Sequence, residues 1–196
     1  NEMIEKTTAK YDVPFLYVNQ VGGNEDLIFE GSSMIFNKDG RLILQGKHFE
    51  EDFIVYDPEA SYSPITVPKE DISWMYKALV LGLRDYVHKT GFKSILLGLS
   101  GGIDSTLVAC LAVDALGKEN VLGVSMPSRY STQHSKDDAR DLAENLGMKY
   151  KVIPIEEPFS AYLGLFNDNK EAVVDLAEEN IQARIRGNLL MFLSNR

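Results

Sequence analysis

Residues 100–106, Ser-Gly-Gly-Ile-Asp-Ser-Thr, put two glycines, three hydroxyls and one acid into seven positions. Gly101 and Gly102 reach backbone angles that a Cβ forbids, so consecutive N–H groups can converge on one anion. Ser100, Ser105 and Thr106 add hydroxyl donors. The run just before, "SILLGL" (94–99), is apolar, and so is most of the stretch that follows to Leu116. This spacing predicts a turn between the end of a buried strand and the start of a helix, where the positive end of the helix dipole favours an anion. The turn is not a Walker A loop, because no lysine follows the glycines, and it lacks the G-x-G-x-x-G dinucleotide fingerprint. Asp104 stands out, since a carboxylate beside a phosphate repels it unless a cation lies between. Mg²⁺ bridging Asp104 and phosphate oxygens accounts for the acid. The plainer alternative is that Asp104 caps the helix and the glycines only turn the chain. Glycines, hydroxyls and an acid together, directly after a strand, favour the phosphate.

The elements that must hold this turn alternate. Asp71 is a plausible N-cap for a helix to about Thr90, stopped by Gly91. Its apolar positions Ile72, Met75, Tyr76, Leu79, Val80, Leu83, Tyr86 and Val87 follow helical spacing. A strand at 94–99, a helix to Leu116 ended by Gly117, and a strand at 121–127 come next. Then follow a helix from Ser135 to Leu146, with Asp137 and Asp138 in its first turn, and a strand in "MKYKVIPI" (148–155). Strand and helix alternating in this way predict right-handed crossovers and a parallel sheet. Upstream the pattern differs. A helical segment leads into a buried strand at 13–18, "NQVGGNED" reads as a loop, and "LIFEGSSMIFNKDGRLIL" reads as two strands around a turn at Asp39-Gly40. "HFEEDFIVYD" is a candidate further strand. Residues 57–70 hold three prolines and read as a linker.

Composition narrows the class. The chain has 196 residues, 44% of them hydrophobic, which suffices for a buried core. Its net charge of −9 argues against long contacts with a nucleic-acid backbone. A single cysteine excludes an internal disulfide and fits a reducing compartment. No run of 18 apolar residues is present. These features predict a cytoplasmic protein with no membrane partner. Both ends break into element-like patterns, so a fragment of a longer protein is expected.

"SGGIDS" (100–105) resembles the signature of the PP-loop ATP pyrophosphatases, a group that includes NAD, GMP and asparagine synthetases. "SMPSRYSTQHSKDDARDLAENLG" (125–147) and "DLAEENIQARIRGNLLMFLSNR" (175–196) are similar to segments of the glutamine-dependent NAD synthetases. "YVNQVGGNEDLIFEGSSMIFNKDGRL" (17–42) is similar to the late part of the carbon–nitrogen hydrolase, or nitrilase-like, domain that precedes the synthetase domain in those chains. The resemblance implies an α/β fold. Residues 1–56 would end a nitrilase-like glutaminase domain, 57–70 would link, and 71–196 would begin a doubly wound, Rossmann-like synthetase domain.

The activity implied is amidation of deamido-NAD to NAD through an adenylate, with ATP as co-substrate, Mg²⁺ as cofactor and ammonia drawn from glutamine, in a homo-oligomer. By the same resemblance Gly98, Leu99, Ser100, Gly101, Gly102, Ile103, Asp104, Ser105, Thr106 and Met126 would bind ATP. Asp104 would hold the metal, and Asn180 and Arg184 would contact deamido-NAD. The glutaminase Glu, Lys and Cys would lie upstream, and further ATP and metal residues downstream, so no catalytic residue is assigned within these 196. Another PP-loop amidotransferase such as a GMP synthetase, or a non-enzymatic nucleotide-binding module, remains the rival.

Independently of resemblance, Arg184 and Arg186 stand at i and i+2 of one helix and so point to different faces. One can reach a phosphate or carboxylate bidentately while the other faces away. Arg129 and Gln133 are further candidates for nucleotide contact. Cys110 reads as a buried, inert thiol among Leu107, Val108 and Leu111. His48, His88 and His134 lack metal-ligand spacing. Trp74 reads as packing, and "HFEED" and "EEN" read as solvated acidic patches.

Overall fold

The computed structural model describes residues 2–67, 71–165 and 176–196. The chain forms two compact units, Asn1–Thr90 and Gly91–Arg196. The first holds α1 (Glu2–Tyr11), β1 (Phe15–Tyr17), β2 (Val21–Asn24), β3 (Leu27–Glu30), β4 (Met34–Phe36), β5 (Leu42–Gln45) and α2 (Ile72–Lys89). β1, β4 and β5 form an antiparallel sheet in that order, pairing Phe15 with Phe36 and Phe36 with Leu42. The turn from β4 to β5 follows the sequence. Gly40 takes φ +77°, its N–H bonds Asn37 O at 3.0 Å, and the Asn37 Oδ1 accepts from the N–H groups of Asp39 and Arg41.

The run before the Asp39-Gly40 turn forms two strands, β3 and β4, in different sheets and not one strand, and three further upstream expectations change. The strand at 13–18 shortens to 15–17 and is not buried: Val13, Leu16, Tyr17 and Val18 are exposed. "NQVGGNED" is not simply a loop. It contains β2, which pairs with β3 from Val21↔Glu30 to Asn24↔Leu27. Its glycines permit close approach by α2. A Cβ on Gly23 would lie 3.2 Å from Gly82 Cα, and the Gly23 N–H donates to Asp85 Oδ2 at 2.8 Å. Lys89 Nζ donates to the carbonyl of the same glycine. Thirdly, "HFEEDFIVYD" forms no strand. It offers an isolated bridge, Gly31↔His48, and leaves Phe53 and Val55 exposed.

The proline-rich stretch has no helix or strand over 57–67, although Ile65 N–H bonds Leu42 O at 2.9 Å. The rest of the expected linker, 68–70, lies outside the described residues. Helix α2 starts as expected, with Asp71 accepting from Ser73 N–H at 2.7 Å. Its apolar stripe is wider than the two strands it packs on. Leu81 and Val87 are buried, but Ile72, Met75, Leu79 and Tyr86 stay exposed.

The second unit is the alternating one. It runs β6 (Ile95–Gly98), α3 (Ile103–Leu116), β7 (Val121–Ser125), α4 (Gln133–Leu146), β8 (Lys149–Val152), α5 (Glu156–Gly164) and α6 (Leu176–Ser194). The strands are parallel in the order β6-β7-β8, with Gly98 opposite Val124 and Ser125 opposite Val152. Adjacent residues of β7 face opposite ways. A Cβ on Gly123 would lie 2.5 Å from both Leu99 Cδ1 and Met148 Cε. On that side α3 and α4 present buried Ala109, Ala112, Ala115, Ala139 and Ala143, small enough for close packing. Val124 points the other way, into a core with Met126, Ile155, Phe159 and Ile185, completed by Leu189, Leu190 and Leu193. Helices therefore cover both faces of a parallel sheet, the α/β, Rossmann-like arrangement expected.

Details differ here too. Thr132 caps α4, accepting from Ser135 N–H at 3.1 Å, so the helix starts at Gln133. Asp137 and Asp138 consequently fall beyond its first turn. Helix α5 was not expected, although Glu156, Glu157 and Pro158 suit a first helical turn. Cys110 is partly buried, not fully, with Leu107 and Val108 exposed beside it. Among the described residues, no helix is long and apolar enough to cross a membrane.

Candidate functional site

At the C-terminal ends of β6 and β7 a cavity of about 550 Å³ opens inside the second unit. Ligands of open α/β sheets bind at this end of the strands. Sheet pairing runs one residue past β6, where Leu99 N–H bonds Val124 O at 2.9 Å, and the chain then turns. Ser100 Oγ accepts from Gly102 N–H at 3.2 Å and lies 3.1 Å from Ser105 Oγ. The hydroxyls of Ser105 and Thr106 each donate to Gly102 O at 3.0 Å. Gly102 is the N-cap of α3 and supplies no side-chain cap. The N–H groups of Ile103, Asp104 and Ser105 open the helix and have no intrahelical acceptor.

Gly101 takes φ +79° and presses on the start of α4. A Cβ there would lie 2.2 Å from Ser135 O. This contact brings the N-terminal ends of α3 and α4 together beside the turn. Asp104 is exposed. Among the described residues its carboxylate makes no capping hydrogen bond and no ion pair; it stands in the first turn of α3, where the helix dipole favours an acid.

Gly98, Leu99, Ser100 and Met126 line the cavity, and Gly101–Thr106 form the turn and helix start adjoining it. Met126 is buried, and its Cε would lie 3.3 Å from a Cβ on Gly98. From α6 come Ala183, Arg186, Gly187 and Leu190. The two arginines do separate. Arg186 lines the cavity and its Nε donates to Met126 O at 3.1 Å. Burial lowers its pKa from the usual value, yet a guanidinium stays charged. Arg184 is exposed, and its Nη1 donates to Asn180 O one turn back, at 3.3 Å. Neither Arg184 nor Asn180 lines the cavity.

Arg129 and Gln133 are engaged elsewhere. Arg129 donates from Nε and Nη2 to the one oxygen Glu156 Oε1 and from its backbone N–H to Oε2, donates to Ser160 Oγ at 2.9 Å and lies over the Phe159 ring. Hydrogen bonding raises the Arg129 pKa and lowers that of Glu156. Gln133 Nε2 donates to Asp137 Oδ1 at 3.2 Å.

Ser125, Ser131, Ser135 and Lys136 complete the lining. Residue type and spacing do not mark Lys136 or the three serines as site residues. Their one available signal was position, in the stretch that follows the second parallel strand. The cavity thus carries two cations and several hydroxyls, and its lining includes no carboxylate, in a chain with net charge −9.

The model of the NAD synthase family matches residues 75–196. The chain belongs to the NAD synthase family. Similarity to glutamine-dependent NAD(+) synthetases extends over the first unit as well. The chain is 48% identical to the one from Synechocystis sp., covering 99% of this chain, and 42% identical to the one from Aquifex aeolicus, covering all of it. It spans only 36% and 41% of those two relatives. A solved glutamine-dependent NAD+ synthetase from Acinetobacter baumannii, in complex with ADP, superimposes with a TM-score of 0.88. It is 38% identical, and the match covers 98% of this chain and 38% of that one. An NH3-dependent NAD synthetase from Campylobacter jejuni, at 33% identity and a TM-score of 0.57, matches 64% of this chain and 53% of its own. The NAD synthase match includes every element that lines the cavity.

Proposed function

We propose that the protein amidates deamido-NAD to NAD at the expense of ATP, and that the cavity at Gly98–Ser100 is its ATP site. The observation that carries this reading is a glycine turn at a helix N-terminus facing a cavity lined by Lys136, Arg186 and hydroxyls, and by no acid. The nicotinate carboxylate attacks the α-phosphorus of ATP, and the bond to the bridging oxygen breaks as pyrophosphate leaves. Ammonia then attacks the acyl carbon of the adenylate and AMP departs, while the ammonia nitrogen loses a proton. The open N–H groups at the start of α3 and the Ser100 hydroxyl hold the phosphates, and the hydroxyls of Ser105 and Thr106 join them by turning away from Gly102 O. Holding carboxylate and phosphorus in line supplies much of the rate. Arg186, fixed by Met126 O, is placed to orient an anionic group of either substrate. Asn180 and Arg184 remain proposed contacts for deamido-NAD on the outer face of α6.

Among the described residues, no group of three or more His, Cys, Asp or Glu is placed to hold a metal. A lone carboxylate suits Mg²⁺, which takes most of its ligands from phosphate oxygens and water. Asp104 would hold it, and the ion would offset charge gathering on the leaving pyrophosphate.

Residues 1–56 are proposed as the end of a nitrilase-like glutaminase domain that supplies the ammonia, 57–70 as linker and 71–196 as the start of the synthetase domain. The proposal extends to a cytoplasmic homo-oligomer that needs neither nucleic acid nor membrane. The deciding experiment is pyrophosphate release from ATP by the full-length protein. Release that requires deamido-NAD supports the reading. Release that requires xanthosine monophosphate assigns a GMP-synthetase-type reaction instead, and no release with either acceptor supports a nucleotide-binding module.

A further inference from the structure

The glycine turn has a chemical gap. It carries hydroxyls and amides for a triphosphate but no cation of its own, and Asp104 adds a negative charge. The fold fills the gap from another element. Because Gly101 packs on the backbone of Ser135, the next residue, Lys136, is brought to the same cavity as Ser100. The acids nearest to Lys136 in its helix are engaged elsewhere. Asp137 pairs with Arg140 at 2.9 Å, and Asp138 with His134 at 2.8 Å. Among the described residues no carboxylate pairs with the Lys136 ammonium.

The cavity is also polarised. Gly98, Met126, Ala183 and Leu190 give a wall that is apolar apart from Arg186, whose Nε is held by Met126 O, whereas Ser100, Ser131, Ser135 and Lys136 gather where α3 and α4 begin. A purine suits the first wall, and the phosphates farthest from it reach the second. We propose that Lys136 grips the β- and γ-phosphates, so that it selects a triphosphate over a monophosphate and steadies the departing pyrophosphate. This rests on the cavity being the nucleotide site. An ammonium on a flexible stem serves as a point charge for phosphate, here supplied by the second crossover helix and not by the turn.

The test is calorimetric titration of the full-length protein with Mg-ATP and with AMP, for wild type, Lys136→Met and Lys136→Arg. Expected is a loss of about tenfold or more in ATP affinity for Lys136→Met, a change under about twofold for AMP, and recovery of most ATP binding in Lys136→Arg. Equal ATP affinity in wild type and Lys136→Met overturns the proposal, and so does an equal loss for ATP and AMP. Absence of ATP binding by wild type overturns instead the nucleotide-site reading beneath it. Lysine acetylation of the wild type, read by mass spectrometry, needs no variant. ATP must slow labelling of Lys136 where AMP does not; equal labelling with both overturns the assignment.

Discussion

Asp104 and Gly101 carry opposite predictions. Asp104 is exposed in the first turn of α3 and makes no capping hydrogen bond. Asp104→Ala should leave stability within about 0.5 kcal/mol of wild type and cut Mg²⁺-dependent turnover about 100-fold or more. Thermal melts and pyrophosphate assays check both halves. Gly101 is constrained twice, by φ +79° and by the Ser135 backbone 2.2 Å from any Cβ. Gly101→Ala should cost about 1–3 kcal/mol from backbone strain alone, and should weaken ATP binding by parting α3 from α4. Denaturant titration and calorimetry read the two effects. The turn was legible because its chemistry is local, with glycines, hydroxyls and acid contiguous in sequence. Lys136 was not, and Arg186 was legible only as one of two candidates. Each becomes a cavity residue only through packing, Lys136 through the Gly101–Ser135 contact and Arg186 through the phase of α6. Sequence showed that Arg184 and Arg186 must diverge, but not which of them faces inward.

Among the elements, the parallel strands and their helices were read well because apolar runs and stop signals coincided. Asp71 capped α2, Gly117 ended α3 and Gly147 ended α4, as expected. The failures share a cause. Gly22 and Gly23 signalled a loop, whereas their use is to let α2 lie close on β2. Ser135 seemed to open α4, but the capping hydroxyl belongs to Thr132. Helix α5 went unseen, and it is tied to the loop after β7 by Arg129 and Glu156. That pair gives a pH prediction. Hydrogen bonding from Arg129, ahead of the other causes, holds the Glu156 pKa below its ordinary value. The pair's contribution is therefore present above the unfolded carboxylate pKa of about 4.3 and fades as pH falls through the lower folded value. Urea midpoints for wild type and Arg129→Ala should differ most near pH 6 and converge toward pH 3. A gap of constant size from pH 6 to pH 3 contradicts this assignment.

For the whole molecule, the core of the second unit supports the site from beneath. Phe159 is fully buried among Val124, Met126, Ile155 and Ile185, and Met126 is both core and cavity wall. Phe159→Ala should cost about 3–5 kcal/mol and lower nucleotide affinity together with stability, both measurable on one variant series. The first unit leaves Leu16, Val18, Phe53 and Val55 exposed, and the chain spans 36–41% of its first curated relatives. The charge balance was legible at this scale only as a sum. A net −9 conceals a cavity whose lining is cationic, because pairing on the surface and lining in the cavity draw on different residues.

The central claim is that the turn after β6 holds a triphosphate in a cavity shared with Lys136 and Arg186. Crystals grown with ATP and magnesium test it most directly. The account predicts phosphate density against the amides at the start of α3, a cation between it and Asp104, and the base beside Met126 and Leu190. Nucleotide bound elsewhere, with this cavity empty, would contradict it.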